Sequence, residues 1–515
     1  MAVGAQRLIQ VLPQMKQKIL SRNFNKESGN SARTKNLRTG SSRNPSSAEQ
    51  YDFLIVGAGP AGLLAARRAA THGVKVALIE RNLLGGECLN TGCIPSKTII
   101  RASRLYADMR NAENFGGRVP GNINVDFPFL MERIKRVRTR IGNQSFSDTR
   151  LALLGIDIHW GDARFVPPLG VRVNGQTLHF RKALIATGSR PIVPPIPGLK
   201  EAGFLTNENV FDLSELPRRL LVMGGGPQGC ELAQAFCRLG SQVIIVQDEP
   251  MFLGNEERDA AQVLSEALAR DGIEIHLNTQ AINVRVEGGQ KLIDLVGEGD
   301  KFTVTTDQIL VGVGHTPNVE TLNLETVGVK YDTKTGIRID DFLRTTNPNI
   351  YAAGDVCFEH TFTHIEDASA GIVVQNALFH GRKRLSELTI PWCTYTDPEI
   401  AHVGMYVREA QAKGIAVDTS TVLMHDVHRA IADGEEDGFV KISVKHGTDK
   451  ILGATVVARH AGEMINDITL AITSGIGLRG LAKVIHAYPT QAQAIKIAAD
   501  VFSRSHLTRK KRRRY

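Results

Sequence analysis

No run of 18 or more consecutive apolar residues occurs in the chain, so no membrane-spanning helix is expected. Cysteine is scarce. Six in 515 residues is not the density of a disulfide-stapled secreted protein, and no apolar core of signal-peptide kind stands near the start. Acid is almost missing from both ends: residues 1–49 hold nine Lys/Arg against Glu27 and Glu49, and residues 501–515 hold seven with no acid. The formal net charge of +9 therefore sits in the termini, and the body between them is mildly acidic. The basic balance makes no case for nucleic-acid binding by the body, and none is expected. Present in quantity are apolar residues, 42% of the chain, enough for about three domain cores at this length.

The first forty-nine residues carry an apolar patch, Leu8, Ile9, Val11, Leu12 and Met15, followed by Lys16, Lys18, Ile19 and Leu20. Such a stretch can form a basic amphipathic helix before trailing into a Ser-, Asn- and Arg-rich run expected to be disordered. It reads as an organellar transit peptide, mitochondrial ahead of plastid. The plainer alternative is a disordered leader on a cytosolic protein.

The rest is organised around residues 85 to 97, GGECLNTGCIPSK, where Cys88 and Cys93 stand five positions apart. If the intervening residues coil through about one helical turn, the pair reaches the roughly 5.5 Å Cα separation a disulfide needs. The two glycines let backbone approach a flat ligand, and Pro95 with Lys97 suits the first turn of a helix. A thiolate there is favoured by the helix dipole and a nearby ammonium. The bland alternative is two small buried side chains, the role expected of Cys230, Cys237, Cys357 and Cys393. The thirteen-residue string resembles the redox-active motif of the class I pyridine nucleotide-disulfide oxidoreductases, the family of glutathione reductase, lipoamide dehydrogenase and mercuric reductase. That resemblance runs from about residue 50 to about residue 505.

Residues 51–56, YDFLIV, read as a short buried strand leading into Gly57, Gly59 and Gly62 and then a helix. Strand, glycine turn and helix in that order set backbone N–H groups and a positive helix end where a diphosphate would sit. The next strand ends at Glu80, 23 residues after Gly57, placed to accept from ribose hydroxyls. Alone, this cradle could hold NAD or FAD. The family resemblance implies FAD, since there the flavin ring lies beside the disulfide. It also implies that Thr187 and Gly188 close the flavin domain and that Asp355 ends a second flavin fingerprint, bonding the ribityl chain.

Gly224, Gly226 and Gly229 repeat the pattern after residues 219–223, which calls for a second dinucleotide, expected to be NAD(P)H, with Gly314 assigned to the cofactor-binding set. The following strand ends in Gln247, where a carboxylate would select NADH, and Asp248 and Glu249 follow where NADPH would want Arg or Lys. Repulsion by those acids leans to NADH, while likeness to mercuric reductase argues for NADPH. The resemblance further implies that Lys97 pairs with Glu231 beside the flavin, and that Pro227 replaces the family's tyrosine gate over the nicotinamide.

The implied organisation is α/β: two Rossmann-like dinucleotide-binding domains plus a C-terminal α+β dimerisation domain. Its boundaries are a leader over 1–49, an FAD domain over 50–200 and 320–387, an NAD(P) domain over 201–319, a dimerisation domain over 388–505 and a basic tail over 506–515. A homodimer with shared active sites is expected. Disulfide reductases of the family carry His-Pro-Thr with a glutamate five residues after the histidine. This chain has Tyr488-Pro489-Thr490 with Gln493 in the glutamate position, His486 two residues too early, and His460 expected to pack or hydrogen-bond rather than act as base. Tyrosine is a poor base at neutral pH, whereas mercuric reductase also has Tyr here. That enzyme's C-terminal vicinal cysteine pair is not found in SHLTRKKRRRY. The expectation is a flavoenzyme passing electrons through Cys88 and Cys93 to a small acceptor, a metal ion or other electrophile, with Tyr488 at the site. Alternatives are an unidentified disulfide and direct flavin reduction of a quinone-type acceptor. No resident metal is assigned.

Overall fold

The computed structural model describes residues 50–119, 121, 123–297, 299–358 and 362–512, with side chains through residue 505. The leader therefore lies outside the described residues, as do the side chains of the basic tail.

Strand β1 (Gln50–Val56) is buried over most of its length because it is flanked on both sides by parallel neighbours. After it come helix α1 (Pro60–Thr71), strand β2 (Val76–Glu80), the one-turn helix α2 (Gly86–Asn90) and the long helix α3 (Cys93–Arg110). Strand β3 (Gln176–Ile185) completes the centre of the first sheet. Its order is 156–160, β2, β1, β3, 170–173, 164–166, and 350–352 pairs in parallel with β3. The chain thus leaves this sheet after β3 and re-enters it some 160 residues later.

The excursion builds a second parallel sheet. Strand β4 (Arg219–Met223), helix α4 (Pro227–Leu239) and strand β5 (Gln242–Val246) repeat the first unit, in the order 274–276, β5, β4, 308–311. A three-stranded antiparallel meander over 279–306 lies on the same segment. After the return, helix α5 (Thr363–Leu378) packs on α1. The remainder is a five-stranded antiparallel sheet, 391–394, 399–404, 451–458, 439–445, 417–423, covered by helices α6 (Ala461–Thr473) and α7 (Gln493–Arg512). The last helix stays helical in its backbone to Arg512, because no Pro or Gly interrupts a run of helix-tolerant residues.

One apolar cluster fixes the three regions together: Ile99 of α3 and Phe236 of α4 share a core with Ile400, Phe439 and Val457 of the antiparallel sheet. No helix among the described residues is long and apolar enough to cross a membrane.

Candidate active site

The two cradles have the same construction. Gly57 (φ +102°) and Gly224 (φ +107°) turn the chain where a Cβ would strike a crossing carbonyl, Ala186 O at 2.2 Å and Gly312 O at 2.4 Å. Gly62 and Gly229 let each helix close on its own turn, since a Cβ would sit 1.9 Å from Gly57 O and 2.1 Å from Gly224 O. The middle glycines, Gly59 and Gly226, have nothing within 4 Å of that position, which is the open side a diphosphate needs. Glu80 accepts the N–H of Ala58 at 2.7 Å, and Gln247 accepts that of Gly225 at 2.6 Å. The carboxylate and the carboxamide thus hold one place in two copies of one design, each reaching the turn from the end of the second strand.

The remaining cofactor expectations fall around the first cradle and its joint with the second. Thr187 and Gly188 are stitched to Asn318: Thr187 Oγ1 donates to its carbonyl at 2.8 Å, and its N–H donates to Gly188 O at 2.9 Å. The carbonyl of Gly314 accepts from Ile192 at 2.9 Å. Asp355 is half-buried and accepts from Ser189 Oγ at 3.1 Å. Burial, then the neighbouring Glu87, pushes its carboxyl up to about 6. An open turn, the Glu80 acceptor at the end of β2 and the half-buried Asp355 carboxyl fit a bound flavin dinucleotide. Pro227, in the gate position, is the first residue of α4.

Gly86, at φ +56°, brings the cysteine motif onto this cradle, for a Cβ there would lie 2.7 Å from Gly59 Cα. Cys88 sits in α2, and Cys93 opens α3. The two thiols titrate as a pair, which splits them. Cys93 is pulled down to about 6 by the neighbouring Cys88 thiol, against burial, with help from Thr363 and the Lys97 charge, while Cys88 is pushed up by Cys93 and by burial. Thr363 Oγ1 stands 3.3 Å from Cys93 Sγ.

Lys97 Nζ donates to Glu231 Oε2 at 2.8 Å. Its side chain is 36% exposed and that of Glu231 6%. Burial works against the Lys97 ammonium, but Glu231 outweighs it and holds the group charged. Glu231 Oε1 accepts from the backbone of Tyr395 at 2.8 Å, and the Lys97 ammonium lies 4.5 Å from the centre of the Tyr395 ring.

Tyr488 is far more open: 66% exposed, with its hydroxyl 3.2 Å from His428 Nδ1. Gln493 begins α7. The side chain of His486 is buried, 3.5 Å from Asp467. His460 departs from expectation. It is exposed in the single protomer, immediately before α6, with a 3.9 Å approach to Glu435. Among the other cysteines, Cys230 is fully buried while Cys237, Cys357 and Cys393 are partly so.

Several site residues carried no motif in the sequence. Thr363 and Glu366 sit on the first turn of α5, His315 stands 3.4 Å from Glu87 of the cysteine motif, and Tyr395 closes the Glu231 shell. Only their position after the second flavin fingerprint or beside the cysteine could have drawn attention to them.

Comparison with known proteins agrees with this geometry. Residues 51–378 match the pyridine nucleotide-disulphide oxidoreductase family, and residues 390–499 match its dimerisation domain, which supports a homodimer. A mercuric reductase of Staphylococcus aureus is 34% identical over 454 residues, 88% of this chain and 83% of that protein. A dihydrolipoyl dehydrogenase of Geobacillus stearothermophilus is 34% identical over 461 residues, 88% of this chain and 96% of that one. Among solved structures, LpdA of Mycobacterium tuberculosis superposes with a TM-score of 0.81 at 28% identity, covering 88% of this chain and all of that one. The HOCl-induced flavoprotein disulfide reductase RclA of Escherichia coli gives 0.79 at 28%, covering 87% and 99%. The chain belongs to the class I pyridine nucleotide-disulfide oxidoreductases and is an FAD-dependent, NAD(P)H-linked enzyme of that family.

Proposed function

We propose that the chain, as a homodimer with shared active sites, delivers electrons from NAD(P)H to a small electrophile, a thiophilic metal ion foremost, through Cys88 and Cys93. FAD, when bound, relays two electrons between the nicotinamide and the sulfurs. The observation that carries the reading is the contrast between a polarised cysteine pair and an unbuilt acid–base dyad. Cys93 is held down to about 6, whereas Tyr488 and Gln493 stand where the family's disulfide reductases have histidine and glutamate. Thiol–disulfide exchange with an organic disulfide needs a proton delivered to a leaving sulfur. A metal ion held by two sulfurs needs electrons and no such proton.

The protein's own residues divide the work. Cys93, beside Thr363 and Lys97, is the thiolate that faces the flavin. Cys88, which keeps its proton, faces the acceptor. Lys97 is kept charged by Glu231 and offsets the negative charge that arrives with the electrons. Mercuric reductases, by name, act on mercuric ion, and RclA has been solved as a Cu(II) complex; both favour a metal acceptor. Apolar side chains left open on the dimerisation domain, Ile485 at 94% and Leu470 at 64% exposed, support pairing through that face.

Stopped-flow mixing of the NAD(P)H-reduced enzyme with Hg(II), Cu(II), small disulfides and quinones tests this reading. Fast reoxidation by a metal ion, lost when Cys88 and Cys93 are both changed to Ser, is the expected result. Reoxidation that survives the double change would sink it and point to direct flavin reduction of a quinone. Residues 1–49 are proposed to direct the chain to mitochondria, in keeping with a family match that starts at residue 51. Their removal should leave FAD content unchanged, and a reporter fused to them should be imported.

A further inference from the structure

Glu366 lies on the first turn of α5, three residues after Thr363, and faces the flavin cradle. Its Oε2 accepts the N–H of Ala61 at 3.1 Å, at the N-terminus of α1. Pro60 has no N–H, so Ala61 supplies the first donor that the opening turn of this helix can offer an anion. A bound diphosphate needs that donor, and one N–H cannot serve two anions in a dry cleft without leaving one of them unpaired.

The surroundings sharpen the conflict. Asp355 is close enough to Glu366 for each carboxyl to act on the ionisation of the other, and Glu87, Cys93, Cys88 and Cys357 all act on it or are acted on by it as acids. Three cations on these and neighbouring elements are engaged elsewhere: Arg68 of α1 with Asp367 at 2.8 Å, His315 with Glu87, and Lys97 of α3 with Glu231. Burial, then Asp355, pushes the Glu366 carboxyl well above the usual range. The second cradle is an internal control. There the N–H in the place of Ala61 belongs to Gln228, and among the described residues no carboxylate accepts it. That cradle must release its nucleotide each cycle, whereas the first keeps its cofactor.

We propose that Glu366 is a cofactor-binding residue that admits the flavin dinucleotide only as a neutral acid, ceding the Ala61 N–H to the diphosphate, so that flavin binding takes up one proton. The proton comes from solvent and returns there when the flavin leaves. Flavin affinity then falls as pH rises above the point at which the free carboxyl ionises, by at most about tenfold per pH unit.

The test starts from the holoenzyme, diluted between about pH 6 and about pH 9, with released FAD read by its fluorescence. The wild type is expected to lose flavin progressively with rising pH. Glu366→Gln, neutral and nearly isosteric, is expected to hold FAD with little pH dependence and more tightly than wild type at the alkaline end. Equal slopes in both proteins, or a flat wild-type profile, overturn the proposal. Should the variant fail to fold, the wild type alone decides: flavin release on dilution near pH 8, in weak buffer with an indicator dye, should liberate up to about one proton per FAD. No proton release overturns it.

Discussion

Changing Thr363 to valine removes one hydroxyl from beside the Cys93 sulfur and leaves the shape of the side chain nearly intact. In the wild type that oxygen stands 3.3 Å from Cys93 Sγ. A hydrogen bond to a charged acceptor is worth about 1.5 kcal/mol or more, and one pKa unit corresponds to about 1.36 kcal/mol. Losing it should therefore raise Cys93 by about one unit from its position near 6. It should not return the thiol to its ordinary value, because the larger contribution of Cys88 and the charge of Lys97 persist. A depressed acid is ionised above its pKa and loses its charge as pH falls through it. The thiolate of the reduced enzyme should thus fade around pH 6 in the wild type and around pH 7 in the variant. At pH 7 the thiolate fraction drops from about nine-tenths to about one-half. Titration of the long-wavelength absorption that a thiolate gives against flavin reads this directly, and the alkylation rate of the reduced protein reads it independently. A midpoint within a few tenths of the wild-type value would refute the claim that Thr363 stabilises the thiolate.

Gln247→Glu puts a full charge where the carboxamide accepts from Gly225, and should shift preference from NADPH toward NADH by about tenfold, roughly 1.4 kcal/mol; an unchanged ratio of kcat/KM values would mean that the adenosine ribose does not reach this side chain. Lys97→Met and Glu231→Gln should each cost about 1–3 kcal/mol of stability, at the lower end because the Lys97 side chain keeps 36% of its exposure, while the double variant recovers part of the loss. Additive effects in thermal or urea denaturation would show that the pair is not coupled. Tyr488→His should speed turnover of small disulfides if the absent base is the only obstacle, and equal rates would place the obstacle in the pocket itself.

Both cradles were legible because each depends on a local string: strand, glycine turn, helix, then a polar residue at the next strand end. Cys88 and Cys93 were legible for the same reason, and the Lys97–Glu231 pair only through family resemblance, since 134 residues separate its members. Thr363, Glu366 and Tyr395 were not legible. Thr363 and Glu366 reach the site through the return of the chain to the first sheet after the 219–311 excursion and Tyr395 through the antiparallel sheet beyond it, and nothing in the spacing of a Thr or Glu marks the side of a helix that will meet a sulfur. The expectation for His460 failed because histidine pattern alone says nothing of whether a helix start is covered.

Glu231 shows why three separate regions are needed for one electron path. Its two oxygens are spent on different partners: Oε2 on Lys97, from the helix that begins at Cys93, and Oε1 on the Tyr395 N–H, from the segment that opens the antiparallel sheet. Glu231 itself belongs to the helix of the second nucleotide cradle. A buried carboxylate with both oxygens committed cannot swing without leaving a charge or an N–H unpaired. Helix α3, helix α4 and the antiparallel sheet are therefore held in one register around Glu231, and the apolar core shared by Ile99, Phe236 and Ile400 joins the same three regions. Opening of the nucleotide site must then come from loops outside α4, since rotation of α4 would carry Glu231 away and leave the Lys97 ammonium unpaired.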